Sequence, residues 1–310
     1  MIEVVDAGVL TSVQTADGRP GWRHIGVPVG GAVDPWSARL ANRLVGNPDD
    51  AALLEVTHDG PSLRFSAASA VALTGASFDA ILDGLPLPAN LGRRVRPGSL
   101  LRIGIGDGAR AYLAVGGGIE VAPMLGSSST DLRTGFGGHH GRALQAGDRL
   151  ASGVSSAVIR RWAGHAPEGR IRIVAGPHDG GERLAGEEWM VGAEADRTGL
   201  RLDGPPLAAD PPEVASMGLP LGAIQVPPDG RPIVMLADRP VTGGYPVPAC
   251  VIRADIGRVA GLRPGDPVAF ASVSMEEARA ALRAYENELA ALEDADASQD
   301  DELGWAGAIE

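Results

Sequence analysis

Three stretches of this 310-residue chain gather side chains able to do polar chemistry. Thr242-Gly243-Gly244-Tyr245-Pro246, which follows Asp238-Arg239, sets a hydroxyl, two unhindered backbone amides and a phenol in succession, the makings of a small polar pocket at a strand end. The same residues would also serve as a tight turn packed by Tyr245. Between Gly116 and Gly147, Ser127-Ser128-Ser129-Thr130-Asp131-Leu132-Arg133 is followed by Gly135, Gly137, Gly138, His139 and His140. Glycines let backbone N–H groups close on an anion, hydroxyls add donors and Arg133 adds charge, although a long structural loop accounts for the same composition equally well. Arg19-Pro20-Gly21-Trp22-Arg23-His24 sets two guanidiniums, an indole and an imidazole in a turn-rich segment, suited to holding a carboxylate or to a solvated turn anchored by Trp22.

Much other chemistry is excluded. Lysine is absent, so all 27 Lys+Arg residues are arginine and no Schiff-base, Walker or biotinyl lysine can form. Cys250, the single cysteine, leads into Val251-Ile252 and reads as a small core residue rather than a nucleophile. No G-x-S-x-G elbow occurs. Adjacent His139 and His140 would point to opposite faces of a strand, and His24, His58, His165 and His178 fall in no ligand spacing, so no metal site is expected. Of the net charge of −12, residues 274–310 hold −9, from 11 acidic side chains against Arg279 and Arg283. The body is near neutral and offers no basic face for nucleic acid. The opening Met-Ile-Glu-Val-Val-Asp lacks the pattern of a secretion signal, and no apolar run approaches about 18 residues, so a cytoplasmic protein without membrane contact is expected.

Forty-four glycines, 24 prolines and only 4% aromatic residues favour short strands and turns over a helical bundle. Two helices are legible. One covers 35–45, with Asp34 able to cap it, Pro35 in the first turn and Trp36, Leu40 and Leu44 on one stripe. The other covers 275–292, opened by a Ser274/Glu277 capping box, with an acidic, disordered tail expected over 293–310. Strands are expected at 70–73, 99–105, 111–115, 170–174, 233–237 and 267–271. Arg96-Pro97-Gly98-Ser99 and Arg263-Pro264-Gly265-Asp266 each feed a strand, as a barrel rim would in each half. With a linker over 152–169, the chain divides into a β-rich half at 1–160, a second β-barrel half at 161–275, and a C-terminal helix and tail at 276–310.

Taken in order, the motifs resemble the biotin-dependent carboxyltransferase family, the group that includes KipA, the C subunit of 5-oxoprolinase and allophanate hydrolase subunit 2. The resemblance runs over roughly residues 6–275. It is carried by Val9-Leu10-Thr11-Ser12-Val13-Gln14, by Gly18-Arg19-Pro20-Gly21-Trp22-Arg23-His24-Ile25-Gly26-Val27-Pro28, and by Leu40-Ala41-Asn42-Arg43-Leu44-Val45-Gly46-Asn47. It continues through Ser129-Thr130-Asp131-Leu132-Arg133, Gly141-Arg142-Ala143-Leu144, Asp196-Arg197-Thr198-Gly199-Leu200-Arg201-Leu202, Gly222-Ala223-Ile224-Gln225-Val226-Pro227 and Thr242-Gly243-Gly244-Tyr245-Pro246. Three places depart from the family pattern. Gln14-Thr15-Ala16-Asp17-Gly18-Arg19 has one residue more than the family's Gln-Asp-x-Gly-Arg, Met217 replaces a glutamate, and Val247 replaces a lysine.

The resemblance implies a mainly β fold of two cyclophilin-like β-barrel halves with few helices. It further implies one component of a 5-oxoprolinase. With a KipI-like partner (the B subunit of 5-oxoprolinase) and a LamB/YcsF-like partner (its A subunit), that component opens 5-oxoproline to glutamate using ATP at the level of the complex. Two alternatives come with it: a carboxyltransferase acting on urea or a related amide, with biotin supplied only in trans, and a non-catalytic KipA-like antagonist of a KipI-like kinase inhibitor. Each enzymatic role needs a site that holds a planar amide while charge grows on an oxygen. On that basis Arg201, Gln225 and Tyr245 are expected to be catalytic. Arg19, His24, Ser129, Asp131, Arg133, Asp238, Thr242, Gly243 and Gly244 are expected to bind the small-molecule amide.

Overall fold

The computed structural model describes residues 1–156, 158–164, 167–207 and 214–294. Strands hold 37% of the residues and helices 15%, in two barrel-like sheets, as the composition predicts. The chain forms two compact units. The first takes Met1–Ala16, Pro35–Gly164 and the stretch from Glu288; the second takes Asp17–Asp34 and His165–Asn287. The linear partition at 160 and 275 shows neither the exchange of residues 17–34 nor the helix Met275–Ala290 running past the end of the second unit.

In the first unit an eleven-stranded sheet is organised around one strand, Leu100–Val115. The two strands expected at 99–105 and 111–115 are this single element. Its first part pairs with Ser62–Phe65 and Phe78–Leu82, and its second with Leu53–Asp59 and Ser69–Gly75. Register shifts at Thr57/Asp59 and Phe78/Ala80 let it bend from one set of partners to the other without a turn. Gly106 is needed there, because a β-carbon on it would stand 2.3 Å from the Phe78 ring. Val4, Val13, Leu54, Val56, Leu63, Phe65, Leu73, Leu101 and Leu113 fill the core. The helix Pro35–Leu44 buries Ala38, Leu40, Ala41 and Leu44, and the Trp36 ring meets Trp162 edge-on at 5.0 Å. Glu293–Asp294, expected within the tail, instead pairs with Arg160–Arg161, which itself falls inside the expected linker. The rest of that tail, 295–310, lies outside the described residues.

The second unit is a closed seven-stranded barrel. Its strands run in the order Ile171–Ala175, Ala249–Val251, Ala223–Gln225, Ile233–Met235, Gly199–Asp203, Glu188–Ala195 and Pro267–Ser272, and the first and last close it in parallel. Alternation sends Ile173, Trp189, Val191, Leu200, Leu202, Ile224, Val234, Val251, Val268 and Phe270 into one buried cluster. The opposite set, including Arg201, Ala223, Gln225, Ile233 and Met235, falls on the outer wall. The capping box opens Met275–Ala290 as expected: Ser274 N–H donates to Glu277 at 2.7 Å and Glu277 N–H donates to Ser274 Oγ at 3.2 Å. Among the described residues no helix is long and apolar enough to cross a membrane.

The bend at Gly106 has a direct test. Gly106→Ala should lower stability by about 1–3 kcal/mol through overpacking. Phe78→Leu in that background should return part of the loss, read as the shift in urea midpoint at constant m-value.

Candidate functional site

In the first unit the hydroxyl-rich stretch is used internally. Ser129, fully buried, accepts from Thr15 N–H at 2.9 Å, and its hydroxyl shares a hydrogen bond of 2.9 Å with Thr15 Oγ1. Thr130 donates through N–H and Oγ1 to Val13 O, both at 2.9 Å. Asp131 Oδ1 accepts from the N–H groups of Arg133 and Thr134, at 3.1 and 3.0 Å, closing its own turn. The stretch is a folded loop stitched to the strand Leu10–Gln14, and Arg133 stands exposed beside it.

His139 and His140 lie on a turn, not a strand, with ring centroids 4.2 Å apart, which corrects the expectation of opposite faces. His139 Nε2 is 3.6 Å from Asp148, whose carboxylate is clamped by Arg142 at 2.7 and 2.8 Å and by Gln145 N–H at 2.8 Å. The Arg142 hydrogen bonds hold the Asp148 carboxyl well below its usual range. Burial pushes the His139 imidazole down. No cluster of His, Cys, Asp and Glu among the described residues could hold a metal.

The second unit builds its polar site on the outside of the barrel. A short ribbon, Met217–Gly218 paired with Thr242–Gly243, lies over the outer wall. It is glued there by a separate apolar cluster of Leu219, Ala223, Met235 and Val247, against which Met217 and Ile233 pack. Met217 and Val247, the two departures that remove a carboxylate and an ammonium, therefore meet in one apolar patch. Gln225 is 3% exposed, and its Nε2 donates to Tyr245 O at 3.3 Å. Gly243 has to be glycine because a β-carbon would stand 2.5 Å from that Nε2 and 2.9 Å from Leu219 Cδ1. That bond uses one of the two Nε2 N–H groups, so the amide oxygen and the second N–H are left for a ligand. Tyr245 is 38% exposed.

Two Asp-Arg dipeptides, at 196–197 and 238–239, meet just ahead of the ribbon strand Thr242–Gly243. Arg197, 5% exposed, holds the Asp238 carboxylate through two bonds of 2.8 and 3.0 Å and donates to Gly31 O at 2.6 Å. Asp238 N–H donates to Arg197 O at 2.9 Å, so backbone and side chains lock together. Asp238 thus has its charge met by Arg197. Asp196 Oδ1 accepts from the N–H groups of Thr198 and Gly199. Arg239 and Arg23 both donate to Leu219 O at 2.9 Å. Arg19 is buried on the same incoming segment, its N–H bonded to Val29 O at 2.8 Å. His24 is exposed, with its ring near Trp22.

The structure therefore gathers Gln225, Thr242, Gly243, Gly244 and Tyr245 around the ribbon, and ties it to Arg23 and Arg239, with Asp238 in the adjoining lock. Arg201 stands on the outer wall two strands from Gln225, both opposite Ile233, and its charge is taken by Glu194 at 3.0 Å and Asp229 at 2.9 Å. Ser129, Asp131 and Arg133 belong to the other unit. Cys250 lies on the outer wall, with burial pushing its thiol up to about 11, as an inert thiol requires. Arg23 lies in the segment read as able to hold a carboxylate, whereas Arg197 and Arg239 escape the sequence reading as site residues, although the repeated Asp-Arg at 196–197 and 238–239 is a usable signal. Two clefts of about 830 and 630 Å³ in the same unit, around Trp189/Met190 and around His178/Pro248, contain none of the expected residues.

Removing one partner of the buried Arg197–Asp238 pair leaves an unmet charge, so Arg197→Ala should cost about 3–5 kcal/mol in urea unfolding. The Arg197→Ala/Asp238→Ala double variant should cost less than the sum of the singles. Asp148 gives a pH signature. A depressed carboxyl stabilises the fold above its usual value of 3.8 and loses that contribution as pH falls through the folded-state value. Asp148→Asn should therefore be less stable than the parent at pH 7, with the gap in urea midpoint closing below about pH 4.

A family model described as the carboxyltransferase domain, subdomain A and B, matches residues 25–272. The C subunit of the 5-oxoprolinase of Escherichia coli (strain K12) is 39% identical over 297 residues, covering 90% of this chain and 93% of the relative. The Haemophilus influenzae protein of the same name is 36% identical over 290 residues, with the same coverage. The crystal structure of Kluyveromyces lactis urea carboxylase superposes with a TM-score of 0.84 at 30% identity, covering 100% of this chain and 30% of that one. The collinear motifs, the barrel-like sheets and these matches agree: the chain belongs to the carboxyltransferase-domain family, subdomains A and B.

Proposed function

We infer that this chain is the C-type subunit of an ATP-dependent 5-oxoprolinase, opening 5-oxoproline to glutamate with KipI-like and LamB/YcsF-like partners. The observation that carries this reading is the match along 93% of two bacterial proteins named as the C subunit of 5-oxoprolinase. The site chemistry supports it. A lactam is planar and resonance-stabilised, so its opening needs the carbonyl activated and the ring held flat. The ribbon and the barrel wall beneath it bring together the Gln225 amide, with an acceptor oxygen and a spare N–H donor, and the backbone of Gly243, next to Gly244 and Tyr245. ATP supplies the driving force within the assembled complex, while this chain's part is to hold and orient the amide. With no lysine to carry biotin, any carboxyl-transfer chemistry would need the biotin on another polypeptide.

A second reading, carboxyl transfer to urea or a related amide, is favoured by the fold shared with urea carboxylase. Reconstitution decides between them. The purified chain alone should turn over neither 5-oxoproline nor ATP. Mixed with its two partner subunits it should release glutamate and ADP in equal amounts. Absence of glutamate from the three-part mixture, with carboxylation of urea by this chain and a biotinylated carrier, would overturn the oxoprolinase reading.

A further inference from the structure

Arg239 is 9% exposed and touches no carboxylate. Its Nε donates to Leu219 O at 2.9 Å and its Nη1 to Leu236 O at 3.0 Å, which leaves Nη2 without a protein acceptor among the described residues. Arg23 donates Nη2 to Leu219 O and to Val241 O, both at 2.9 Å, leaving its Nη1 and Nε. Two guanidiniums grip one carbonyl oxygen, so the bonded nitrogens are within two hydrogen-bond lengths of each other. Neither has a carboxylate within the 4.0 Å of an ion pair among the described residues. Asp238, next in sequence, is spent on Arg197, and Asp17 stands 3.7 Å from a third cation, Arg253.

Backbone carbonyls offer a cation dipoles but no counter-charge, and a guanidinium this buried is costly without one. Burial, together with Arg23 and Arg253, holds Arg239 down to about 10. Stapling the ribbon would explain hydrogen bonds to Leu219, Leu236 and Val241. It does not explain two like charges brought onto one oxygen with donors left over. An incoming anion removes the mismatch and uses those donors.

We propose that Arg23 and Arg239 form a carboxylate-binding subsite beside the ribbon, which takes the carboxylate of a cyclic amide whose ring lies against Gln225 and Gly243. The arginines and the amide border one stretch of the wall: both guanidiniums hold the carbonyl of Leu219, whose side chain packs next to Gly243 together with the Gln225 amide. The identity of the ring rests on the oxoprolinase reading, whereas the anion subsite rests on the two arginines alone.

Calorimetric titration of the purified chain with 5-oxoproline, with 2-pyrrolidinone, which has the ring without the carboxylate, and with inorganic phosphate tests this. The chain should bind 5-oxoproline at least ten-fold more tightly than 2-pyrrolidinone and more tightly than phosphate. Arg23→Gln and Arg239→Gln should each abolish the ten-fold preference, and Arg149→Gln should keep it. Because Arg239→Gln also cuts two staples, the parent chain gives a second readout: the Arg239 Nε–H resonance should shift with 5-oxoproline and stay put with 2-pyrrolidinone. Equal or absent binding of the two cyclic amides, tighter phosphate binding, or a preference surviving in the Arg23→Gln/Arg239→Gln variant overturns the subsite. The two readings fail separately. An arginine-dependent preference in the chain with no hydrolysis by the reconstituted complex removes the oxoprolinase reading alone. Hydrolysis with unchanged KM in both arginine variants removes the subsite alone.

Discussion

A barrel packed solid with Leu, Ile, Val, Trp and Phe has no room inside for a polar ligand, and that constraint determines where the second unit can do chemistry. The polar groups must stand on the outer wall, where bare strands would offer only a flat, wet surface. The ribbon Met217–Gly218/Thr242–Gly243 changes this by covering the wall over a second, smaller apolar cluster. Under that cover Gln225 becomes buried while the Tyr245 side chain stays half open.

Arginine fastens the ends of the ribbon that this apolar cluster seats. Arg23 and Arg239 converge on Leu219 O, and the Arg197–Asp238 pair fastens residues 196–199 to 236–239. Guanidinium is suited to this because its planar fork can bridge several acceptors at fixed angles, which an ammonium cannot do. The absence of lysine from the chain thus has a structural counterpart in the site. Polar groups in the first unit are arranged differently: Ser129 bonds Thr15, Thr130 bonds the Val13 carbonyl and Asp131 bonds the N–H groups of its own turn, and so they rigidify a loop rather than face a ligand.

Regular elements are readable from the sequence wherever periodicity and caps speak for themselves. The helix at 35 and the capping box at Ser274/Glu277 are local features, and local chemistry predicts them. The long strand Leu100–Val115 reads as two because Gly106, Asp107 and Gly108 look like a turn. Only the Phe78 ring, far away in sequence, shows why glycine is needed inside a strand. The exchange of residues 17–34 is equally hidden, since Arg23 finds its acceptors 196 and 218 residues later. The ribbon residues 242–245 are legible as a polar turn. Arg201 is singled out by its place in a family-like motif, and its pairing with Glu194 and Asp229 depends on barrel register that no single motif reveals. The adjacent histidines mislead for a related reason, because glycines on both sides turn the chain where an extended strand is assumed.

The most direct measurement of the central claim, that the outer wall under the ribbon is where this unit holds a small amide, is a crystal structure of the chain soaked with 5-oxoproline. The account places the ring against Gln225 and Gly243, with its carboxylate between Arg23 and Arg239. Density for the molecule in the cleft near Trp189 or near His178, with the ribbon face empty, would contradict it.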